Sequence, residues 1–243
     1  MRMKVNGHEY RSIWRDTTGQ SVDIIDQTLL PHEFSIRKLQ SLADCAEAIV
    51  SMRVRGAPLI GATTAYGLAL AMQADCSDGS LAASHERLLS TRPTAVNLRW
   101  ALERCMARLS GLPPRERRVA AFELADRLCE EDVDTNRRIG ENGLAVIRAL
   151  YEGRGDSGTP VRILTHCNAG WLATVDWGTA LAPIYMAHEA GIPVHVWVDE
   201  TRPRNQGAAL TAWELSAHGV AHDLIVDNAG GHLMQHGQVD LCI

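Results

Sequence analysis

The chain has 243 residues, 46% of them hydrophobic and 22% charged, with a net charge of −5; a fold of this size buries roughly 70% of its unfolded surface, so a substantial core is available. The acidic balance, with both signs interspersed, argues against nucleic acid as the main partner, and the longest apolar run, 58–72, is broken by Thr63, Thr64 and Tyr66 and is too short to span a membrane. The opening MRMKVNGHEY has no apolar stretch behind its basic residues, and the six cysteines form no CxxC pair; the expectation is a cytoplasmic protein with reduced thiols rather than a disulfide frame.

The first part reads as a small β entry followed by helices. Residues 12–14 and 21–29 alternate enough for short strands, and 39–52 carries apolar residues at helical spacing. Residues 58–72, rich in Ala and Leu, predict a buried helix, and 75–80 a polar turn. Segments 95–109 and 114–150 predict amphipathic helices, the second entered through Pro113 and Pro114. EGRGDSGTP, residues 152–160, is the clearest linker. It divides an N-terminal mainly helical domain, 1–151, from a C-terminal domain, 161–243.

Beyond the linker the pattern changes. VRILTHC is a strand, 178–190 a helix ending at Gly191, VHVWVDE a strand, 206–218 a helix ending at Gly219, and HDLIVD a strand. Residues 229–235 form a short helical turn, and 239–243 begins another strand. Alternating strands and helices with glycine C-caps imply a parallel, Rossmann-like sheet. The fold class is therefore α/β: a helical domain with a small β entry, plus an incomplete Rossmann-like domain. A buried parallel strand normally runs on into a covering helix, so a stop at Ile243 reads as truncation.

In open α/β sheets, ligands bind beyond the carboxyl ends of the strands. Three such ends here are polar: 165–170 (THCNAG), 199–206 (DETRPRNQ) and Asp227-Asn228. Cys167 stands where a strand meets a small-residue turn. Backbone N–H groups in such turns can make a thiol an acid, base or nucleophile; a buried cysteine acting as a small hydrophobe is an equal reading. His166 and Cys167, adjacent in an extended segment, should face opposite ways, which disfavours a shared metal. Arg55-Gly56-Ala57-Pro58 and Arg92-Pro93-Thr94 each precede a helix, where free N–H groups and an arginine suit a phosphate. Taken singly, each is more often an ordinary loop-to-helix junction. Asp199 could equally serve as an acid or base or cap and orient loop residues such as Arg202 or Arg204, whereas Glu200 reads as a carboxylate orienting the loop. Gln206 opens a helix and could bond a sugar hydroxyl. P-loop, GxGxxG, HExxH and GxSxG signatures are absent, and the ten histidines are dispersed.

The blocks VRGAPLIGATTAYGLAL, RPTAVNLRWAL, ILTHCNAGWLATVDWGTALAPI, VDETRPRNQGAALTAWEL and IVDNAGGHLM resemble signature blocks of bacterial methylthioribose-1-phosphate isomerases. The broader group includes the regulatory subunits of initiation factor 2B and ribose-1,5-bisphosphate isomerases. The resemblance covers essentially the whole chain. It implies isomerisation of methylthioribose 1-phosphate to methylthioribulose 1-phosphate in methionine salvage, usually by a homodimer, with neither metal nor organic cofactor. By motif matching it implies that Arg55, Gly56, Ala57, Arg92 and Gln206 hold the substrate and that Cys167 is catalytic, stabilising the transition state or shuttling a proton.

The resemblance also places a catalytic Asp in a Gly-(Ala/Thr)-Asp-Arg motif directly after the strand that begins at Val239. The chain ends before it, and Asp240, which precedes the apolar residues of that strand, is not that Asp. The chain as it stands is therefore expected to be inactive. Two alternatives stay open: an isomerase of another ribose 1-phosphate, such as 5-deoxyribose 1-phosphate, or a non-catalytic regulatory protein. Cys167 and Gln206 together favour the enzyme, since a purely regulatory subunit need not keep them.

Overall fold

The computed structural model describes residues 3–155 and 158–243; Met1 and Arg2, and Asp156 and Ser157 of the expected linker, lie outside them. The chain opens with the hairpin β1 (Met3–Val5) and β2 (His8–Tyr10). Asn6 and Gly7 turn it with φ of 51° and 81°, the pair of left-handed residues that a two-residue hairpin turn requires. The described chain packs as two compact units: Arg11–Asp132, and residues 3–10 with Val133–Ile243. These units follow packing and not the composition break at 152–160, so their limits differ from the expected domain limits.

In the Arg11–Asp132 unit, β3 (Ile13–Arg15), β4 (Val22–Ile25) and β5 (Ile36–Leu39) form an antiparallel sheet in that order. Strand β4 is shorter than the expected 21–29. The unforeseen β5 exposes every residue but Leu39, so it shows no alternation. Helices α1 (Leu42–Val50), α2 (Ala57–Ala74), α3 (Asp78–Leu89) and α4 (Val96–Leu109) follow. α2 is buried continuously from Leu59 to Met72 and packs against α1, α3 and α4. The expected polar turn at 75–80 runs into α3. Its Ser77 hydroxyl accepts the Ser80 N–H as an N-cap, so the residues that read as a turn are also a helix start.

α5 (Pro114–Glu152) begins in this unit and ends in the other. In the latter, β6 (Val161–Thr165), β7 (Val194–Asp199), β8 (His222–Ile225) and β9 (Leu241–Cys242) form a parallel sheet in the order β8-β7-β6-β9. This is the expected α/β architecture. The interior strand β6 is buried except at Arg162. The helix expected over 178–190 starts only at Leu181 (α6, Leu181–Glu189), because Trp177 and Gly178 are left-handed. The segment expected as one helix over 206–218 is a π-helical turn, Gly207–Thr211, followed by α7 (Ala212–Ala217). The short helix α8 spans Ala229–Gln235, as read. All six cysteines are free. Among the described residues no helix is long and apolar enough to cross a membrane.

Asp240 lies at the amino end of the sheet. Its carboxylate accepts the Arg162 backbone N–H at 2.7 Å and pairs with Arg154 at 2.6 Å. Burial raises its pKa, but the hydrogen bonds from Arg154 and Arg162 outweigh that and hold it at about 2. It is therefore a structural clasp at the end of the sheet opposite the polar loops.

The late part of α5 seats α6 through glycines. A Cβ at Gly143 would stand 2.4 Å from Pro183 Cγ, and one at Gly140 2.7 Å from Met186 Cε. A proline ring cannot turn aside. Gly143→Ala should therefore lose about 1–3 kcal/mol through overpacking, despite alanine's better helix propensity. Urea unfolding with an unchanged m-value and a lower midpoint checks this; a raised midpoint contradicts it.

Candidate functional site

Three parallel strands deliver their loops to one end of the sheet. β6 stops at Thr165, and the chain turns sharply, with Cys167 at φ 62°. The extended segment assumed for His166-Cys167 ends before these residues, so the alternation argument does not apply to them. His166 instead turns toward β7, its Nδ1 3.1 Å from Asp199 Oδ2. The second Asp199 oxygen is buried and has no hydrogen-bond partner among the described residues.

Cys167 is half-buried, and its backbone is held on both sides. Its N–H donates to Thr201 Oγ1 at 2.7 Å, and its carbonyl accepts from Thr211 Oγ1 at 2.6 Å. Thr201 begins the loop after β7. Its own N–H and that of Arg202 donate to the two oxygens of Asp227, both at 2.7 Å. The Arg202 N–H is the leading cause that lowers the Asp227 pKa. Asp227 is thus a carboxylate that orients this loop. Gln206 caps the π-helical turn as expected of a helix opener. The next residue must be glycine, because a Cβ at Gly207 would lie 1.7 Å from the Asp199 carbonyl oxygen.

Beneath the Cys167 turn sits Glu214, fully buried. It accepts from Asn168 Nδ2 at 2.8 Å, Trp171 N at 3.0 Å, Leu172 N at 3.1 Å and Tyr185 Oη at 2.9 Å. A Cβ at Gly170 would meet Glu214 Oε2 at 1.9 Å, so only glycine lets the turn close over the carboxylate. Burial raises the Glu214 pKa to about 6 against those four donors. Thr201, Thr211, Tyr185 and Glu214 were not foreseen. The one available signal was a glutamate set among apolar residues in TAWEL.

His166, Asp199 and Asp227 bring one potential ligand atom each within 4.8 Å of one another. These groups already bond one another and the backbone: His166 pairs with Asp199, and both Asp227 oxygens accept N–H groups.

The remaining expected residues lie in the Arg11–Asp132 unit. Gly56 is the N-cap of α2 with φ 89°, a conformation that favours glycine, and Pro58 sits in the first turn. Arg55 and Arg92 are half-buried. Arg92 lies in the turn before α4, its carbonyl accepting the Ala95 N–H at 2.9 Å. Neither α2 nor α4 has a side-chain N-cap, whereas Ser41 and Ser77 cap α1 and α3. The two uncapped starts adjoin, since a Cβ at Gly61 would lie 3.2 Å from the Asn97 carbonyl.

The native protein holds the Glu214 proton more tightly than the unfolded chain, whose glutamate titrates near 4.5. Its stabilising contribution is therefore complete below about pH 4.5 and is lost as pH rises through about 6, a change on the order of 2 kcal/mol. Melting temperatures across this window should fall less steeply in Glu214→Gln than in the wild type. Parallel curves would contradict the assignment.

A family model described as the initiation factor 2 subunit family matches residues 53–243. A methylthioribose-1-phosphate isomerase of Rhodospirillum centenum is 62% identical over 99% of this chain and 64% of its own length. The corresponding protein of Paramagnetospirillum magneticum is 60% identical over 99% of this chain and 66% of its own. The chain thus spans just under two thirds of these relatives. Among solved structures, 5-methylthioribose 1-phosphate isomerase from Pyrococcus horikoshii matches with a TM-score of 0.83 and 40% identity, covering 96% of this chain and 64% of that one. The initiation factor eIF-2B delta subunit from A. fulgidus matches with a TM-score of 0.81 and 40% identity, over 96% and 67%.

Proposed function

The chain belongs to the initiation factor 2 subunit family, and we propose that its protein is an aldose–ketose isomerase that converts 5-methylthioribose 1-phosphate to 5-methylthioribulose 1-phosphate. The observation that carries this reading is Cys167, held in a left-handed turn and half-exposed at the carboxyl end of the interior strand β6. The relatives named for this reaction support it.

The chemistry explains why such a thiol is wanted. A phosphate on the anomeric oxygen blocks spontaneous ring opening. Breaking the C1–O4 bond requires a proton at O4; a hydrogen must leave C2 for C1, and the O2 proton must depart so that C2 becomes the ketone. Acid–base groups and an environment that excludes water lower the cost of the charge that develops. Cys167 is the group proposed to stabilise that charge or carry a proton, with Gln206 bonding a sugar hydroxyl. Arg55, Gly56, Ala57 and Arg92 are proposed to bind substrate, the arginines and the uncapped starts of α2 and α4 suiting its phosphate. The reading needs no metal or organic cofactor, and it places the protein in the cytoplasm as a homodimer.

A non-catalytic regulatory role is the second reading. The initiation-factor subunit, which is as similar to this chain as the solved isomerase is, favours it. A coupled assay on 5-methylthioribose 1-phosphate and 5-deoxyribose 1-phosphate decides between them. The two sugars differ only in one apolar substituent, worth about 1–3 kcal/mol in a pocket, so a preference of roughly tenfold or more for the thioether is expected. Cys167→Ser should cut turnover by orders of magnitude. Turnover of neither sugar by the protein as it occurs in the cell, or wild-type turnover in Cys167→Ser, would overturn the reading.

A further inference from the structure

Cys167 adopts a backbone conformation that side-chain-bearing residues rarely hold unless their surroundings dictate it. Here both of its backbone groups are tied to threonine hydroxyls from the neighbouring strand's loop and the turn after it. Thr201 Oγ1 accepts the Cys167 N–H at 2.7 Å, and Thr211 Oγ1 donates to the Cys167 carbonyl at 2.6 Å. Neither hydroxyl is itself adrift. Thr201 Oγ1 donates to the Asp199 carbonyl at 3.1 Å, and the Thr201 N–H is anchored on Asp227. Thr211, fully buried, also accepts from Asn168 Nδ2 at 3.2 Å, and that amide is held in turn by Glu214.

The path of the chain matters here. Thr211 closes the π-helical turn that begins at Gly207, and that turn is docked on the end of β7 by the absence of a Cβ at Gly207. π-Turns are rare and concentrate at functional sites, where they displace a residue from its α-helical position.

We propose that Thr211, with Thr201 as its counterpart, is a positioning residue that aims the Cys167 thiol: the two hydroxyls fix the left-handed backbone of Cys167 and so the direction of its side chain. The bonds go to backbone atoms, so the hydroxyls set the direction of the thiol without touching its proton. This assignment rests on the catalytic reading of Cys167.

The test compares Thr211→Val, Thr211→Ser and Cys167→Ser, each made in the protein as it occurs in the cell, in the isomerase assay, with circular dichroism and thermal melting to verify folding. Misplacing a reacting group by about 1 Å costs on the order of a hundredfold. Thr211→Val should therefore lower kcat by roughly ten- to a hundredfold while KM stays within about threefold, and Thr211→Ser, which keeps the hydroxyl, should restore kcat. Wild-type kcat in Thr211→Val beside an inactive Cys167→Ser overturns the positioning role alone. So does an equal loss in the Val and Ser variants, or a loss confined to KM. Full activity in Cys167→Ser is a different failure, of the catalytic reading itself. If Thr211→Val does not fold, the pair Thr201→Val and Thr201→Ser is read by the same criteria.

Discussion

Strands of a parallel sheet all leave by the same end, and at that end each frees backbone groups that must find partners. In this protein those partners are side chains from the loop or helix that follows the next strand. The Cys167 N–H and carbonyl are met by Thr201 and Thr211, the Thr201 and Arg202 N–H groups by Asp227, and the Trp171 and Leu172 N–H groups by Glu214. Satisfying the backbone thus builds the site. The same bonds that make the strand ends tolerable to bury also fix the thiol that stands at the carboxyl end of β6.

The surroundings separate this thiol from the three buried cysteines. Burial drives the pKa of Cys105 and Cys129 to about 12, and that of Cys45 higher still. Those three are small hydrophobes of the Arg11–Asp132 unit, which describes most buried cysteines. Cys167 is half-buried in a constrained turn. The parallel sheet also gives direction to its carboxylates: Asp227 serves the loops at the carboxyl end, while Asp240, at the amino end, is consumed by Arg154 and Arg162.

Periodicity was a sound guide wherever burial was one-sided or continuous over several turns. α2, α4, α5, the strands β6 to β8 and α8 all lie close to where the pattern puts them. It failed where local polarity carried two meanings. The serine and aspartate cluster before α3 looks like a turn and is also an N-cap, and β5 is too exposed to alternate. The β1–β2 hairpin, which turns on an Asn-Gly pair, was not among the expected elements. Within the site, Cys167 and Gln206 were legible from their places after a strand and before a helix. Thr201, Thr211 and Tyr185 were not, because their roles consist of hydrogen bonds to residues distant in sequence, and Glu214 was marked only by its apolar neighbours in TAWEL. The opposite facing expected of His166 and Cys167 assumed that the strand continued, whereas it stops at Thr165.

The central claim is that a phosphorylated pentose lies against the Cys167 turn. The most direct measurement is the rate at which iodoacetamide alkylates each cysteine, resolved by peptide mass spectrometry, with and without saturating 5-methylthioribose 1-phosphate. Exposed Cys242 serves as the internal reference. The account predicts that the sugar phosphate slows alkylation of Cys167 sharply and leaves Cys242 unchanged. Equal Cys167 rates with and without the sugar phosphate would contradict it.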